Sequence, residues 1–162
     1  MLRKVSVVRE LRWLYVLPQL GAMAVVIAAC IAGAGYPTGL FVGAAIYLAY
    51  SFGSRAILAR HHKAGVRRIF RREWAEAIPC FQRSQAFFER FPWIDRYRQL
   101  FLMSPSGASY HEMALVNQAV CLVHLNRGAE ARQLYERVLA QYPDSPLAEA
   151  ALKAMAAGEA AV

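Results

Sequence analysis

No charged residue stands between Trp13 and Ser54, a gap of 42 residues. A bilayer is crossed once by ~20 apolar residues, so the gap is about two spans long. One charge at the centre of a span costs roughly 2.5–3.5 kcal/mol, which makes so long an absence a strong membrane signal. Acid is also scarce early in the chain. Residues 1–72 carry a single acid, Glu10, against eleven Lys and Arg, whereas residues 73–162 carry ten acids against eight. The net charge of +8 and the pI of about 9.8 therefore describe the first part of the chain. They are no footprint of nucleic acid, and no nucleic-acid partner is expected.

Cysteine is scarce too. Cys30, Cys80 and Cys121 show no CxxC spacing, and an odd count of widely spaced thiols points to reduced, structural cysteines. His61 and His62 are neighbours, so on a helix they point about 100° apart and share an ion poorly. "HEMAL" (His111 to Leu115) has Leu115 where a zinc-protease helix would carry its second histidine. No metal site and no cofactor is expected. No strand-like alternation follows residue 72, no Gly-rich phosphate loop follows a strand, and no Ser, His and acid set suggests a nucleophile. An enzyme is not expected.

What the sequence does contain is segregated. "AGAGYPTG" (Ala32 to Gly39) is a cluster of turn formers in which Pro37 interrupts a continuing helix. The apolar stretch thus divides into spans near 14–34 and 38–58, a hairpin within residues 13–58 that follows a basic N-terminus, 1–12. Arg3, Lys4, Arg9 and Arg12 precede it, Arg55, Arg60 and Lys63 follow it, and its turn is uncharged. The positive-inside rule puts both termini on the cytoplasmic side, with an integral position in a membrane such as the bacterial inner membrane. Trp13, Tyr15, Tyr36 and Tyr50 fit aromatic belts. "IAAC" (Ile27 to Cys30) has the look of a lipoprotein cleavage box, but the apolar pattern continues past it into a second span. A cysteine packed among small residues is the preferred reading.

"RHHKAGVRRIFRR" (Arg60 to Arg72) then places six cations and two histidines in thirteen residues. Continued as a helix from the second span, a juxtamembrane segment over 59–73 puts Arg60, Lys63, Arg67 and Arg71 on one face, with Arg68 and Arg72 beside them. Val66, Ile69 and Phe70 lie opposite, at amphipathic spacing. Together with Arg55, these cations suit anionic lipid head groups, at roughly 1 kcal/mol each near the surface. Gly39-x-x-x-Gly43 and the stripe Ala24, Ala28 and Ala32 provide small residues at four-residue spacing, which lets membrane helices approach closely. The preferred reading packs the two spans on each other; the other docks them on further membrane subunits.

From Glu73 the pattern is helical. "EWAEAIPCFQRSQAFFERFP" keeps helical spacing despite Pro79, "WIDRYRQLFLM" reads as a short helix, and "SPSGASY" is a loop. Asp95 reads as a helix cap or a partner for Arg96 or Arg98. Ser109 and Glu112 make a capping box for a helix from about Tyr110 to Leu125. A second helix spans Ala129 to Gln141, and an Ala-rich helix runs to about Gly158. The fold class is all-α: a transmembrane hairpin followed by a small helical-repeat domain over about 74–158.

"ALVNQAVCLVHLNRGAEARQLYERVLAQYP" resembles a tetratricopeptide repeat, the 34-residue helix–turn–helix unit patterned W-x2-L-G-x2-Y, A-x3-F, P. Leu115, Ala119, Leu122, Ala131, Tyr135 and Pro143 take the patterned positions, with Ala119 and Ala131 small where the paired helices cross. Gln118 departs from the usual Leu and suggests looser packing. A fainter upstream unit fits Gly65, Ala77 and Phe81, but Arg68 occupies an apolar position and Pro92 comes three residues late. The resemblance implies a concave groove for an extended peptide or a partner's helix, lined here by Met113, Val116, Asn117, Val120 and His124. It implies a membrane-anchored adaptor with a cytoplasmic protein partner. The alternative is an accessory subunit that stabilises a larger membrane complex through its hairpin.

Overall fold

The computed structural model describes residues 17–102 and 107–159. Trp13, Tyr15 and the cations before them lie outside the described residues, as does the middle of the 104–110 loop. Two apolar helices come first, α1 (Leu17–Ala34) and α2 (Thr38–Leu58). Both are long and apolar enough to cross a membrane, and almost none of their residues are fully buried within the protein. At 18 and 21 residues they measure about 27 and 31 Å, close to the ~30 Å of a hydrocarbon core.

The two helices pack antiparallel across glycine. A methyl group added at Gly39 would lie 2.4 Å from the Ile31 backbone, and one at Gly43 would lie 2.8 Å from Ile27 Cα. The Tyr47 hydroxyl donates to the Gln19 carbonyl at 3.1 Å across the pair. The Gly39 and Gly43 half of the sequence reading thus describes the hairpin seam. Ala24, Ala28 and Ala32 do not join it: they are exposed, and Ile27, Cys30 and Ile31 face the glycines instead.

Seven further helices follow among the described residues: α3 (Arg60–Phe70), α4 (Trp74–Arg90), α5 (Pro92–Arg96), α6 (Arg98–Phe101), α7 (Tyr110–His124), α8 (Gly128–Gln141) and α9 (Pro146–Glu159). The basic helix is not a continuation of the second span. The chain turns at Ala59 (φ −96°, ψ 14°), because Ala59 and Leu58 are drawn into an apolar cluster with Phe88, Ile94 and Leu102. Val66 and Ile69 pack against the Ala77 and Phe81 cluster as expected. Phe70 departs from that face and is 79% exposed.

After the two apolar helices, α3, α4, α7, α8 and α9 stack in chain order, each helix against the next. The core of the stack joins Leu115, Val116, Ala119, Leu122, Ala131, Tyr135, Val138 and Ala148. The α3–α4 and α7–α8 hairpins are built alike. Gly65 and Ala119, Ala77 and Ala131, and Phe81 and Tyr135 all stand 54 residues apart (119 minus 65), and all six are buried.

The turns repeat as well. Arg72 (φ 61°) and Asn126 (φ 58°) are left-handed at the same separation. Each hairpin closes with the same pair of amide bonds: Glu73 N–H to Arg68 O and Arg72 N–H to Ile69 O, then Arg127 N–H to Leu122 O and Asn126 N–H to Val123 O, at 2.9–3.1 Å. This is the Schellman ending, in which a left-handed residue satisfies the last carbonyls of a helix. The separation exceeds the 34-residue unit by about 20 residues, and the surplus is α5, α6 and the loop before α7.

Candidate functional site: the α3 and α7 face

α7 lies between α4 and α8, so apolar side chains surround most of it. Ala114 and Cys121 join the cluster beneath α4, while Leu115, Ala119 and Leu122 join the core beneath α8. Three bonds hold its first turn. Asp95, a buried residue of α5, accepts from the amides of Tyr110 (2.9 Å) and His111 (3.0 Å). Ser109 Oγ accepts from the Glu112 amide at 3.0 Å. All three leading amides are thus satisfied by side chains, two of them from a carboxylate fifteen residues upstream. Asp95 is a helix cap, one of the two roles its position suggested. Gln118 is buried and donates to Gln85 Oε1 of α4 at 2.9 Å. A hydrogen bond replaces the apolar contact of the usual Leu, and the helix stays tightly packed there.

What remains open on α7 is a narrow stripe. Met113, Asn117 and Val120 are half-buried, His124 is exposed, and Val116 is buried at 7% exposure in the core. Val120 packs partly against that core. The His124 ring stacks on Trp74 of α4, with centroids 3.8 Å apart and planes within 9°. At the matching positions α3 carries Lys63, Val66 and Phe70, of which Lys63 and Phe70 are exposed. The face therefore offers the amide of Asn117, the ammonium of Lys63 and the aromatic surfaces of Phe70 and the His124–Trp74 pair. Such groups grip a polypeptide through its backbone and an apolar side chain; they offer no nucleophile.

The cations on and around α3 are placed differently from one another. Arg68 lies at the interface with α4, bonded to Glu73 at 3.3 Å and to Glu76. Arg68 is thus accommodated by acids at the cap and in the first turn of the following helix. Arg60 Nε lies 3.2 Å from His61 Nε2. Arg55, Lys63, Arg67, Arg71 and Arg72 have no acid partner among the described residues.

A cleft of about 370 Å³ opens beside the start of α7, lined by Glu89, Asp95, Arg96, Arg98, His111 and Tyr142 among others. His111 bridges it, with Nδ1 2.8 Å from the Tyr142 hydroxyl and Nε2 3.1 Å from Glu89 Oε1. Sequence spacing gave no sign of this triad, whose members come from three separate helical segments. His62 is buried against the edges of Phe81 and Tyr110. Its Nδ1 has no partner, and burial pushes its pKa down to about 4. Burial likewise raises the Cys121 thiol to about 11, the mark of an inert core cysteine.

A family model of the tetratricopeptide repeat matches residues 113–145, a segment that covers α8 and nearly all of α7. No curated protein and no solved structure matches the chain. The match is to a protein-interaction repeat. It holds all six packing positions, of which Leu115, Ala119, Leu122, Ala131 and Tyr135 are buried and Pro143 is exposed.

Proposed function

We propose that this protein is a membrane-anchored adaptor. In this reading residues 13–58 form a transmembrane hairpin with both chain ends on the cytoplasmic side. The unpaired cations Arg55, Lys63, Arg67, Arg71 and Arg72 lie near anionic head groups, with Arg60 beside them. The repeat domain presents Met113, Asn117, Val120 and His124, joined by Phe70, to a segment of a protein partner. Val116 supports that face from beneath, and Arg68 braces the α3–α4 turn. The observation that carries the reading is the tetratricopeptide match over residues 113–145, in a chain that also carries two helices of membrane-spanning length. The work is binding, with no cofactor.

The test is co-purification from gently solubilised membranes, comparing the full chain with an Asn117→Ala, His124→Ala double variant. The adaptor reading expects the variant to stay in the membrane and lose its partners. Unchanged partners would refute it.

One observation favours a second reading, the accessory subunit. Ala24, Ala28 and Ala32 are left open on the outer side of α1, where another membrane helix could approach. Gly43→Leu does not separate the two readings, because Gly43 is consumed within the hairpin. Ala28→Leu does: the subunit reading expects it to release partners, and the adaptor reading expects no change.

A further inference from the structure

The twenty or so residues inserted between the two hairpins have a place in the fold that the repeats themselves do not require. α6 packs against both α1 and α2, and the Tyr50 hydroxyl of α2 lies 3.3 Å from the Leu100 carbonyl. Tyr50 is five residues before Arg55, the first charge after the apolar stretch. That is about 7.5 Å along the helix toward the membrane. Arg55 belongs in the head-group layer, which is roughly 5–7 Å deep on each side of the hydrocarbon. Leu100 and the helix that carries it therefore lie alongside the last turns of α2, on the membrane side of Arg55.

The exposed surface of the insert suits that depth. Trp93 and Tyr97 are 51% and 52% exposed, and they are flanked by exposed Arg90 and Arg96. Trp93 meets Phe101 of α6 edge-on at 5.1 Å, so the indole is continuous with the helix that touches the hairpin. Trp and Tyr, with an apolar body and a polar tip, gather at membrane interfaces. Nearby Arg can reach lipid phosphates. Burial of Ala59, Ile94 and Leu102 in one cluster with Phe88 fixes the insert to the end of the second span and to α4 together.

We propose that α5–α6 is a second membrane contact, resting on the membrane reading above. Trp93 and Tyr97 seat in the head-group layer of the leaflet the hairpin leaves, and Arg90 and Arg96 face its phosphates. The repeat domain is thereby clamped to the bilayer in one posture, and does not swing on a tether.

The experiment uses the full chain in nanodiscs containing phosphatidylglycerol. A Trp13→Phe, Trp74→Phe variant leaves Trp93 as the only indole, and adding Trp93→Phe and Phe41→Trp gives a reporter within the second span. The expected result is a blue-shifted Trp93 emission that loses intensity to lipids spin-labelled near the head group and little to aqueous acrylamide. If acrylamide quenches Trp93 while lipid labels quench only the Phe41→Trp reporter, the clamp is wrong and the membrane anchor stands. If lipid labels quench neither, the anchor itself fails and the clamp with it. Because Trp74 stacks on His124, a photoreactive benzophenone residue at position 97 of the otherwise unaltered chain provides a second measurement. A lipid adduct supports the clamp, and its absence overturns it.

Discussion

Gly65 offers the sharpest test of the idea that the first hairpin is built on the repeat plan. A methyl group at Gly65 would stand 2.7–2.9 Å from three ring atoms of Phe81. That ring is fully buried and is itself touched by His62 at 5.4 Å, so it has little room to retreat. Overpacking of this kind costs about 1–3 kcal/mol. Ala gains up to ~1 kcal/mol over Gly in a helix interior, which opposes the loss without cancelling it. Gly65→Ala should therefore lower stability by up to about 2 kcal/mol, read as the shift in chemical denaturation of the full chain in micelles by circular dichroism. Gly53→Ala, where nothing lies within 4 Å, should be neutral or slightly stabilising. In a Phe81→Leu background the Gly65→Ala cost should shrink. An unchanged cost there, or a Gly65→Ala variant at least as stable as the parent, would refute the crossing-point argument.

Three other outcomes follow from the same geometry. Arg72→Gly should stabilise the chain by up to about 1 kcal/mol, because a left-handed conformation costs a non-glycine residue roughly 1–2 kcal/mol; thermal denaturation reads it. Asp95→Ala strips two leading amides of α7 of their acceptor and should cost about 2 kcal/mol, with faster hydrogen exchange at Tyr110 and His111. His62 adds a pH dependence of definite sign. Its pKa is about 4 when folded against 6.5 unperturbed, so the unfolded chain binds more protons between those values. The contribution is constant above pH 6.5 and falls away between pH 6.5 and pH 4, by about 3 kcal/mol in all. A His62→Leu variant should lose that slope.

The hairpin could be read in the sequence because its signal is an absence of charge, which no packing detail can disguise. The second repeat could be read because Ala119, Ala131 and Tyr135 hold fixed offsets within one uninterrupted unit. The likeness of the α3–α4 hairpin to that unit is fainter for two physical reasons. Arg68 takes an apolar position by drawing on Glu73 and Glu76 from the next helix, and the α5–α6 insert stretches the period from 34 residues to 54. The break at Ala59 leaves no mark, since no Gly or Pro makes it; burial beside Phe88 and Leu102 does. The open stripe of α7 was only partly legible. A helix apolar on most sides does not reveal which of Val116 and Val120 a neighbour covers, and the stack buries Val116 more deeply. Asp95 caps a helix fifteen residues away, a partnership that local spacing cannot display.

In the proposed reading a partner binds the α3 and α7 face while the hairpin holds the protein in the membrane. Photocrosslinking in intact cells tests it most directly, with a photoreactive residue placed in turn at Asn117, at Gln133 on the exposed face of α8, and at Ala28 on the outer side of α1. A discrete protein adduct is expected from position 117 and none from 133 or 28. Protein adducts from position 28 alone would contradict it and assign the function to the spans.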